Sequence, residues 1–167
     1  MQGRVPPHAG EVRIALATPA ELDEIMVIER ASFATPWTAQ AIAAEIERPW
    51  SIFRVLRDRN DQLCAFLNFW VVYDKLHILN LATHPDQRRR GYARRLMEML
   101  LDEAKRNEVT EIALEVRRTN KCAQRLYESL DFTRVGVHPG YYGDSGEDAI
   151  IYLRVIEAGE ASDEPGA

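Results

Sequence analysis

A cluster of arginines beside a glycine is the first feature of the sequence that could do chemistry. Five arginines fall within eight residues: Arg88, Arg89, Arg90, Arg94 and Arg95. Gly91 lies among them, where a hydrophobic strand pattern ends and an amphipathic helix pattern begins. The first turn of a helix offers unpaired backbone N–H groups and the positive end of its dipole, so the segment predicts a polyphosphate site.

Two other interpretations of these arginines stay open. They could form a solvated helix start, or a nucleic-acid patch, although Tyr92 is the only aromatic residue among them. The glycine spacing matches neither GxxxxGK nor GxGxxG, which disfavours ATP and NAD. The net charge of −5 also weighs against a nucleic-acid-binding domain. Residues 157–167 carry four acids and no base, which leaves the rest of the chain at −1.

Glu115 and Tyr127 are the candidate acid–base groups. Alternation along a hydrophobic strand puts Ile112, Leu114 and Val116 on one face and Glu115 on the other. Glu115 is either a general base or one half of an ion pair with Arg117, two residues along the same face. Tyr127 lies on the apolar stripe of the next helix, where it either packs in the core or reaches a cleft.

These residues need a mixed framework to position them. Hydrophobic periods, turn residues and caps at Thr18 and Thr38 predict an antiparallel meander followed by alternating helices and strands. The predicted strands are 12–16, 51–57, 63–73, 76–83, 111–117, 133–137 and 148–155, and the predicted helices are 19–33, 39–48, 91–104 and 120–130. The fold class is α+β, or mixed α/β, in one domain over residues 11–156. We expect a flexible N-terminus at 1–10 and an acidic disordered tail at 157–167.

Composition is typical of a globular protein. The chain has 167 residues, of which 46% are hydrophobic and 28% charged. It contains neither an apolar run of roughly 20 residues nor a signal-peptide pattern at its start, so we expect a cytoplasmic protein without membrane contact. Cys64 and Cys122 are predicted to be buried free thiols. The four histidines show no ligand spacing, so no metal is predicted.

One motif resembles a known family. Arg88-x-x-Gly91-x-Ala93, after a strand that ends Leu81-Ala82-Thr83, is similar to the acetyl-CoA signature of the GCN5-related N-acetyltransferase (GNAT) superfamily. The resemblance extends from about Val12 to Leu153. It implies a GNAT fold, in which helices flank both faces of a mixed, mostly antiparallel sheet, and it implies acetyl-CoA as cosubstrate.

A narrower resemblance covers the second half of the chain. The stretches Leu114-Glu115-Val116-Arg117 and Leu126-Tyr127-Glu128 resemble the RimI-type ribosomal-protein-alanine N-acetyltransferases. Tyr141-Tyr142, the closing strand from Glu147 and the early Pro36-Trp37-Thr38 strengthen this likeness. The resemblance implies acetyl transfer to a protein N-terminal α-amine, with alanine of small-subunit ribosomal protein S18 as the acceptor.

The resemblance also implies roles for individual residues. Glu115 is the base, directly or through water, and Tyr127 is the acid that protonates the departing CoA thiolate. The cofactor would contact Leu81, Ala82, Thr83, Arg89, Arg90, Gly91, Tyr92, Ala93, Arg94 and Asn120. The acceptor would contact Trp37, Tyr141 and Tyr142.

Three residues depart from the family pattern. Thr119 replaces a serine, Asp131 replaces a glycine, and Gly143 stands where proline is typical. Asp tolerates the left-handed conformation that ends helices, so its replacement of glycine is expected to be harmless. Gly143, with Gly140 and Gly146, predicts a flexible substrate-facing loop, which leaves the acceptor open.

Other function classes remain. The same fold acetylates protein lysines or small amines in related enzymes, and a non-catalytic CoA-binding module would need the phosphate site without Glu115 and Tyr127. Direct nucleic-acid binding is a third class, marked by steeply salt-dependent association.

Overall fold

The computed structural model describes residues 11–157, which form seven strands and four α-helices. The predicted flexible N-terminus and, apart from Glu157, the predicted acidic tail lie outside the described residues. The elements in chain order are β1 (Arg13–Leu16), α1 (Leu22–Ser32), α2 (Ala39–Glu47), β2 (Ser51–Arg57), β3 (Leu63–Val72), β4 (Lys75–Thr83), α3 (Tyr92–Arg106), β5 (Glu111–Arg117), α4 (Lys121–Ser129), β6 (Thr133–His138) and β7 (Ala149–Val155).

Side-chain caps begin three of the helical segments. Thr18 accepts a hydrogen bond from the Ala20 amide, and Glu21 accepts one from the Thr18 amide, which completes a capping box before α1. Thr38 accepts a hydrogen bond from the Ala41 amide at the start of α2, and Asn120 accepts one from the Ala123 amide at the start of α4. Each cap satisfies an amide that has no partner inside its helix, which fixes the start of the helix. The predicted caps at Thr18 and Thr38 are confirmed.

The strands form one sheet in the order β1-β2-β3-β4-β5-β7-β6. All neighbours are antiparallel except β4 and β5, which are parallel. A bulge in β4 shifts the register with β3, so that Asn68 pairs with Asn80 but Phe69 pairs with Ile78. The predicted mixed, mostly antiparallel sheet is confirmed.

The β4–β5 pair separates halfway along its length. Pairing runs from Lys75 opposite Glu111 to Ile78 opposite Leu114 and then stops. Both strands continue beyond that point, β4 to Thr83 and β5 to Arg117. Their diverging ends leave a gap in the middle of the sheet, and the β4 edge there has no strand partner on the β5 side.

Helices cover both faces of the sheet. Ile25, Ile28 and Ile42 of α1 and α2 pack on one face with β2 and β3. On the other face, Leu96 and Leu100 of α3 pack with β3, β4 and β5, together with residues of α4.

The prediction for the cysteines holds in part. Both are free and Cys64 is buried, but Cys122 is exposed because it lies on the solvent side of α4.

Candidate active site

A cavity of about 770 Å³ lies at the gap between β4 and β5. Its lining includes Leu114 and Val116, which point to the α3–α4 face, and Glu115 and Arg117, which point to the α1–α2 face. Because of this gap, one cavity is lined by residues from both faces of the sheet. Seven predicted site residues line it: Trp37, Leu81, Glu115, Asn120, Tyr127, Tyr141 and Tyr142.

Glu115 pairs with a residue that the sequence analysis missed. Its Oε2 lies 2.6 Å from Nε2 of His77 on β4. The hydrogen bond to Glu115 raises the pKa of His77 above its ordinary value, against the opposing effect of burial. The two residues are 38 positions apart in the chain, and the parallel register of β4 and β5 brings them together.

Arg117 has other partners than Glu115, so the ion-pair alternative for Glu115 is wrong. The Arg117 guanidinium lies 2.8 Å from Asp144 and 3.3 Å from Glu147, and 3.9 Å from the centre of the Tyr142 ring. Its hydrogen bond holds the pKa of Asp144 well below the usual range. Burial raises the pKa of Tyr142 to about 12. Arg117 thus joins the end of β5 to the loop before β7.

That loop, residues 139–148, is also tied to neighbouring segments. Thr35, between α1 and α2, donates a 2.7 Å hydrogen bond to Asp144. Glu147 accepts hydrogen bonds of 2.8 and 2.6 Å from the amide and hydroxyl of Thr119. These contacts, with those of Arg117, anchor the loop in spite of its three glycines. Serine, which the family pattern has at this position, offers the same amide and hydroxyl, so its replacement by Thr119 keeps both donors.

Tyr127 belongs to the core and to the cavity. Its side chain is 6% exposed, and its ring lies 5.8 Å from that of Phe132 and 6.2 Å from that of Tyr152. It also lines the cavity. Burial raises the pKa of its hydroxyl well above the ordinary value. Tyr127 is therefore a protonated hydrogen-bond donor at any physiological pH.

A buried carboxylate, Glu29 on α1, lines the cavity and binds two neighbouring segments. It accepts a 2.9 Å hydrogen bond from the Trp37 amide and a 2.8 Å bond from the Asn80 side chain on β4. Burial raises its pKa, against the effect of the two hydrogen bonds. The sequence analysis missed Glu29, but a signal was present, since it lies four residues after Ile25 on the apolar face of the helix.

Arg88, Arg89 and Arg90 lie between the end of β4 and the start of α3, and they are not among the residues that line the cavity. Gly91 caps α3 with φ +79°, and a Cβ built there would meet no protein atom within 4 Å. The Tyr92 side chain is buried in the core, so it can offer a ligand only its backbone. Arg94 donates a hydrogen bond to Ser129, and Arg88 donates one to the Thr83 carbonyl. Because both side chains are engaged elsewhere, the start of α3 is open.

These features fit acetyl-CoA. An unpaired strand edge suits an extended arm that carries amide groups. A helix start with an open glycine and several arginines suits a diphosphate. The residues that would hold the cosubstrate are Leu81, Ala82, Thr83, Arg89, Arg90, Gly91, Tyr92, Ala93, Arg94 and Asn120. Ala82 is 6% exposed, so it too would contribute backbone.

Comparison with known proteins decides the family. The model of the acetyltransferase (GNAT) family matches residues 22–132. This chain belongs to the GNAT acetyltransferase family. A [ribosomal protein bS18]-alanine N-acetyltransferase of Escherichia coli K12 is 36% identical over 126 residues, covering 74% of this chain and 84% of that protein.

Two further likenesses agree with this assignment. The putative [ribosomal protein bS18]-alanine N-acetyltransferase of Bacillus subtilis is 31% identical over 132 residues, covering 78% of this chain and 87% of its own length. The crystal structure of the ribosomal-protein-S18-alanine N-acetyltransferase from E. coli superposes with a TM-score of 0.82 at 32% identity, covering 91% of this chain and 98% of that one. This GNAT protein is an N-acetyltransferase that uses acetyl-CoA as acetyl donor.

The described residues, 11–157, also bear on membranes and metals. No helix in this range is long and apolar enough to cross a bilayer. Within the same residues, no group of three or more His, Cys, Asp or Glu side chains is arranged to hold a metal ion.

Proposed function

We propose that this GNAT acetyltransferase acetylates the N-terminal α-amine of a protein, with alanine of ribosomal protein S18 as the acceptor. The observation that carries the proposal is that Glu115 and Tyr127, from opposite faces of the sheet, line one cavity between two anchored loops. The acceptor is suggested by the relatives, which are named for alanine acetylation of bS18. Because that acceptor is a ribosomal protein, we also propose that the enzyme acts in the cytoplasm.

In the proposed reaction, Glu115 removes a proton from the acceptor amine. Acetyl-CoA supplies an acetyl group activated as a thioester. An α-amine has an ordinary pKa near 8, so its deprotonation at neutral pH costs only about 1 kcal/mol. A lysine amine, with a pKa near 10.4, would cost about 4 to 5 kcal/mol. A carboxylate base in a partly solvated site therefore suits an N-terminal acceptor better than a lysine.

Tyr127 stabilises the departing thiolate. With ordinary pKa values, proton transfer from a tyrosine to a thiolate is uphill by about 2 kcal/mol. Burial raises the pKa of Tyr127 further, so complete transfer is costlier still. We therefore propose that Tyr127 acts mainly by donating a hydrogen bond to sulfur as negative charge develops there.

Three aromatic residues are proposed to receive the acceptor. Glu29 holds the Trp37 backbone at the rim of the cavity. Tyr141 is 45% exposed and meets the rings of His138 and Tyr142 edge to face, each at 5.0 Å. The loops between α1 and α2 and between β6 and β7 thus place flat apolar surfaces on either side of the route to Glu115.

A panel of peptides tests the proposal. The enzyme is incubated with acetyl-CoA and a peptide that starts with alanine, its N-terminally blocked version, an internal-lysine peptide and a small polyamine. We expect an acetyl mass increment on the free alanine terminus only, and its loss with Glu115→Gln. The internal-lysine peptide is also blocked at its N-terminus, and its acetylation, or that of the polyamine, at a comparable rate would refute the acceptor class.

A further inference from the structure

Glu29 is a buried carboxylate of α1 that takes no part in the proton transfers described so far. It is 1% exposed, yet it lines the same cavity as Glu115 and Tyr127. A carboxylate that leaves water loses a large hydration free energy, which hydrogen bonds or a cation must compensate. The partners of Glu29 therefore indicate what this costly group does in the site.

The two oxygens of Glu29 bind different parts of the site. Oε1 accepts the 2.9 Å hydrogen bond from the amide of Trp37, which lies in residues 33–38 between α1 and α2, here called the acceptor loop. Oε2 accepts the 2.8 Å bond from Nδ2 of Asn80 on β4. One carboxylate thus joins the acceptor loop to the strand along which acetyl-CoA is proposed to bind.

The β4 partner of Glu29 is firmly supported by the sheet. Asn80 pairs with Asn68 of β3, next to the bulge where the register shifts. Asn68 is fully buried, and its Nδ2 donates to the Ser51 hydroxyl and to the Ile52 carbonyl of β2 at 2.8 and 3.1 Å. The Asn80 side chain is therefore a donor whose backbone is held by the neighbouring strands.

The acceptor loop, by contrast, is an irregular segment with hydrogen bonds to two different supports. Thr35 donates one to Asp144, which lies in the loop before β7. The Trp37 amide donates the other to Glu29. Since the first bond joins one loop to another, the bond to Glu29 is the one that relates the acceptor loop to the sheet.

We propose that Glu29 is a positioning residue, which fixes the acceptor loop against β4 and so sets the distance between the acceptor amine and the thioester. The inference rests on the proposed function and deepens it. Glu29 acts through Trp37 and Asn80, and it takes no proton from the acceptor. Rates depend steeply on how two reactants are held, so that a displacement of about 1 Å can cost about 100-fold.

Glu29→Gln separates positioning from proton transfer. The new amide oxygen can accept from the Trp37 N–H, and the new NH2 group can donate to Asn80 once the Asn80 amide turns over. A glutamine cannot serve as a base. We therefore expect kcat and the KM for the peptide to stay near their wild-type values. A fall in kcat of about 100-fold or more, the size expected for a lost base, would overturn the proposal.

Glu29→Leu removes both hydrogen bonds at similar volume. We expect kcat/KM for the peptide to fall about 100-fold while the Kd for acetyl-CoA is unchanged, because β3 still holds β4. Glu45→Leu is the matched control, since Glu45 is also buried and accepts a 2.7 Å bond from the Trp70 indole, but does not line the cavity. It should lose stability and keep kcat/KM. Equal losses of kcat/KM in the two variants would overturn the proposal.

Asn80→Ala tests the same connection from the β4 side and serves if Glu29→Leu does not fold. It removes the donor to Oε2 and leaves Glu29 in place. Exchange of the Trp37 amide hydrogen, measured by NMR, should become faster, and kcat/KM for the peptide should fall. Unchanged exchange with unchanged kinetics would contradict the role of Glu29. Wild-type enzyme that acetylates no N-terminal peptide would instead refute the proposed function, and the Trp37 amide would still report on the connection.

Discussion

Tyr127 combines a packing role with a proposed chemical role. Its ring lies beside two aromatic neighbours in the core, and the residue also lines the cavity. Burial keeps the hydroxyl protonated by raising its pKa. A hydroxyl that stays protonated can donate a hydrogen bond, which the proposed role at a developing thiolate requires.

Replacing Tyr127 by Phe should separate its two roles. Tyr127→Phe keeps the ring and removes the donor, so we expect kcat to fall about 100-fold while thermal stability changes little. The matched control is Tyr152→Phe, which loses a 2.7 Å hydrogen bond to Glu128. That variant should lose about 1 kcal/mol of stability and keep its kcat. Steady-state kinetics measures kcat and thermal unfolding measures stability for each variant. Equal kcat values for the two variants would contradict the role of Tyr127.

The His77–Glu115 pair makes stability depend on pH. The hydrogen bond to Glu115 raises the folded pKa of His77, so its stabilisation is complete below the unfolded value of about 6.5. It is lost as pH rises through the higher folded value. The difference in melting temperature between wild type and His77→Gln should therefore be larger near about pH 5.5 than near about pH 9. A melting-temperature difference that grows with pH would contradict this prediction.

Sequence reasoning found single residues more readily than partnerships. Alternation along β5 correctly placed Glu115 opposite the buried face of the strand. Asp131 does adopt the left-handed conformation expected of it, with φ +63°. His77 could not be predicted as the partner of Glu115, because their contact depends on a parallel register that leaves no local pattern. The cofactor and acceptor roles of individual residues stay predictions.

At the scale of elements, the cavity is enclosed by two loops that meet. Thr35 and Asp144 join the loop after α1 to the loop before β7, and Arg117 holds Asp144 from the end of β5. The Arg117 guanidinium also lies over the Tyr142 ring. Arg117 therefore positions Tyr142, a proposed acceptor-binding residue, by its ion pairs with the loop and by stacking on the ring.

Removing Arg117 should weaken acceptor binding selectively. Arg117→Gln loses the ion pairs with Asp144 and Glu147, so we expect the KM for the peptide to rise about 10-fold with little change in the KM for acetyl-CoA. Arg118→Gln is the matched control, because Arg118 is exposed and pairs with Asp148. It should leave both KM values unchanged. A similar rise in both KM values for Arg117→Gln would point to general destabilisation.

Elements were easier to predict than their arrangement. Strands 51–57 and 111–117 match β2 and β5; burial alternates along the whole of β5 and along β2 as far as Val55. The cap at Thr38 fixed the start of α2 for the same local reason. The separation of β4 from β5 has no such signal, since it depends on how a bulge and a crossover helix aim two strands that are distant in sequence.

For the whole molecule, the gap between β4 and β5 leaves part of the β4 edge without a strand partner. Acetyl-CoA bound along the β4 edge should raise the free energy of unfolding by about 2.7 kcal/mol at 100 times its Kd. At the same acetyl-CoA concentration, Gly91→Ala should reduce this gain, because φ +79° strains a side chain at the helix start and a Cβ would enter the space where the diphosphate is proposed to bind.

Thermal unfolding with and without acetyl-CoA measures that gain. Gly136→Ala is the matched control, since a Cβ there makes only an ordinary 3.8 Å contact with Ile151. Its gain should equal that of the wild type. An identical gain for Gly91→Ala would show that the cosubstrate does not approach the start of α3.

The short parallel join also affects how the chain folds. Strands β1 to β4 pair in sequence order, whereas β5 pairs with β7, the next strand but one along the chain. Four residue pairs connect β4 with β5 across the α3 crossover. Contacts between sequence neighbours form quickly, whereas a parallel join must wait for a long segment to close. We therefore expect β1 to β4 to assemble before β5 joins them, so that the proposed acetyl-CoA site beside β4 forms late and a half-made chain emerging during its own translation cannot bind acetyl-CoA.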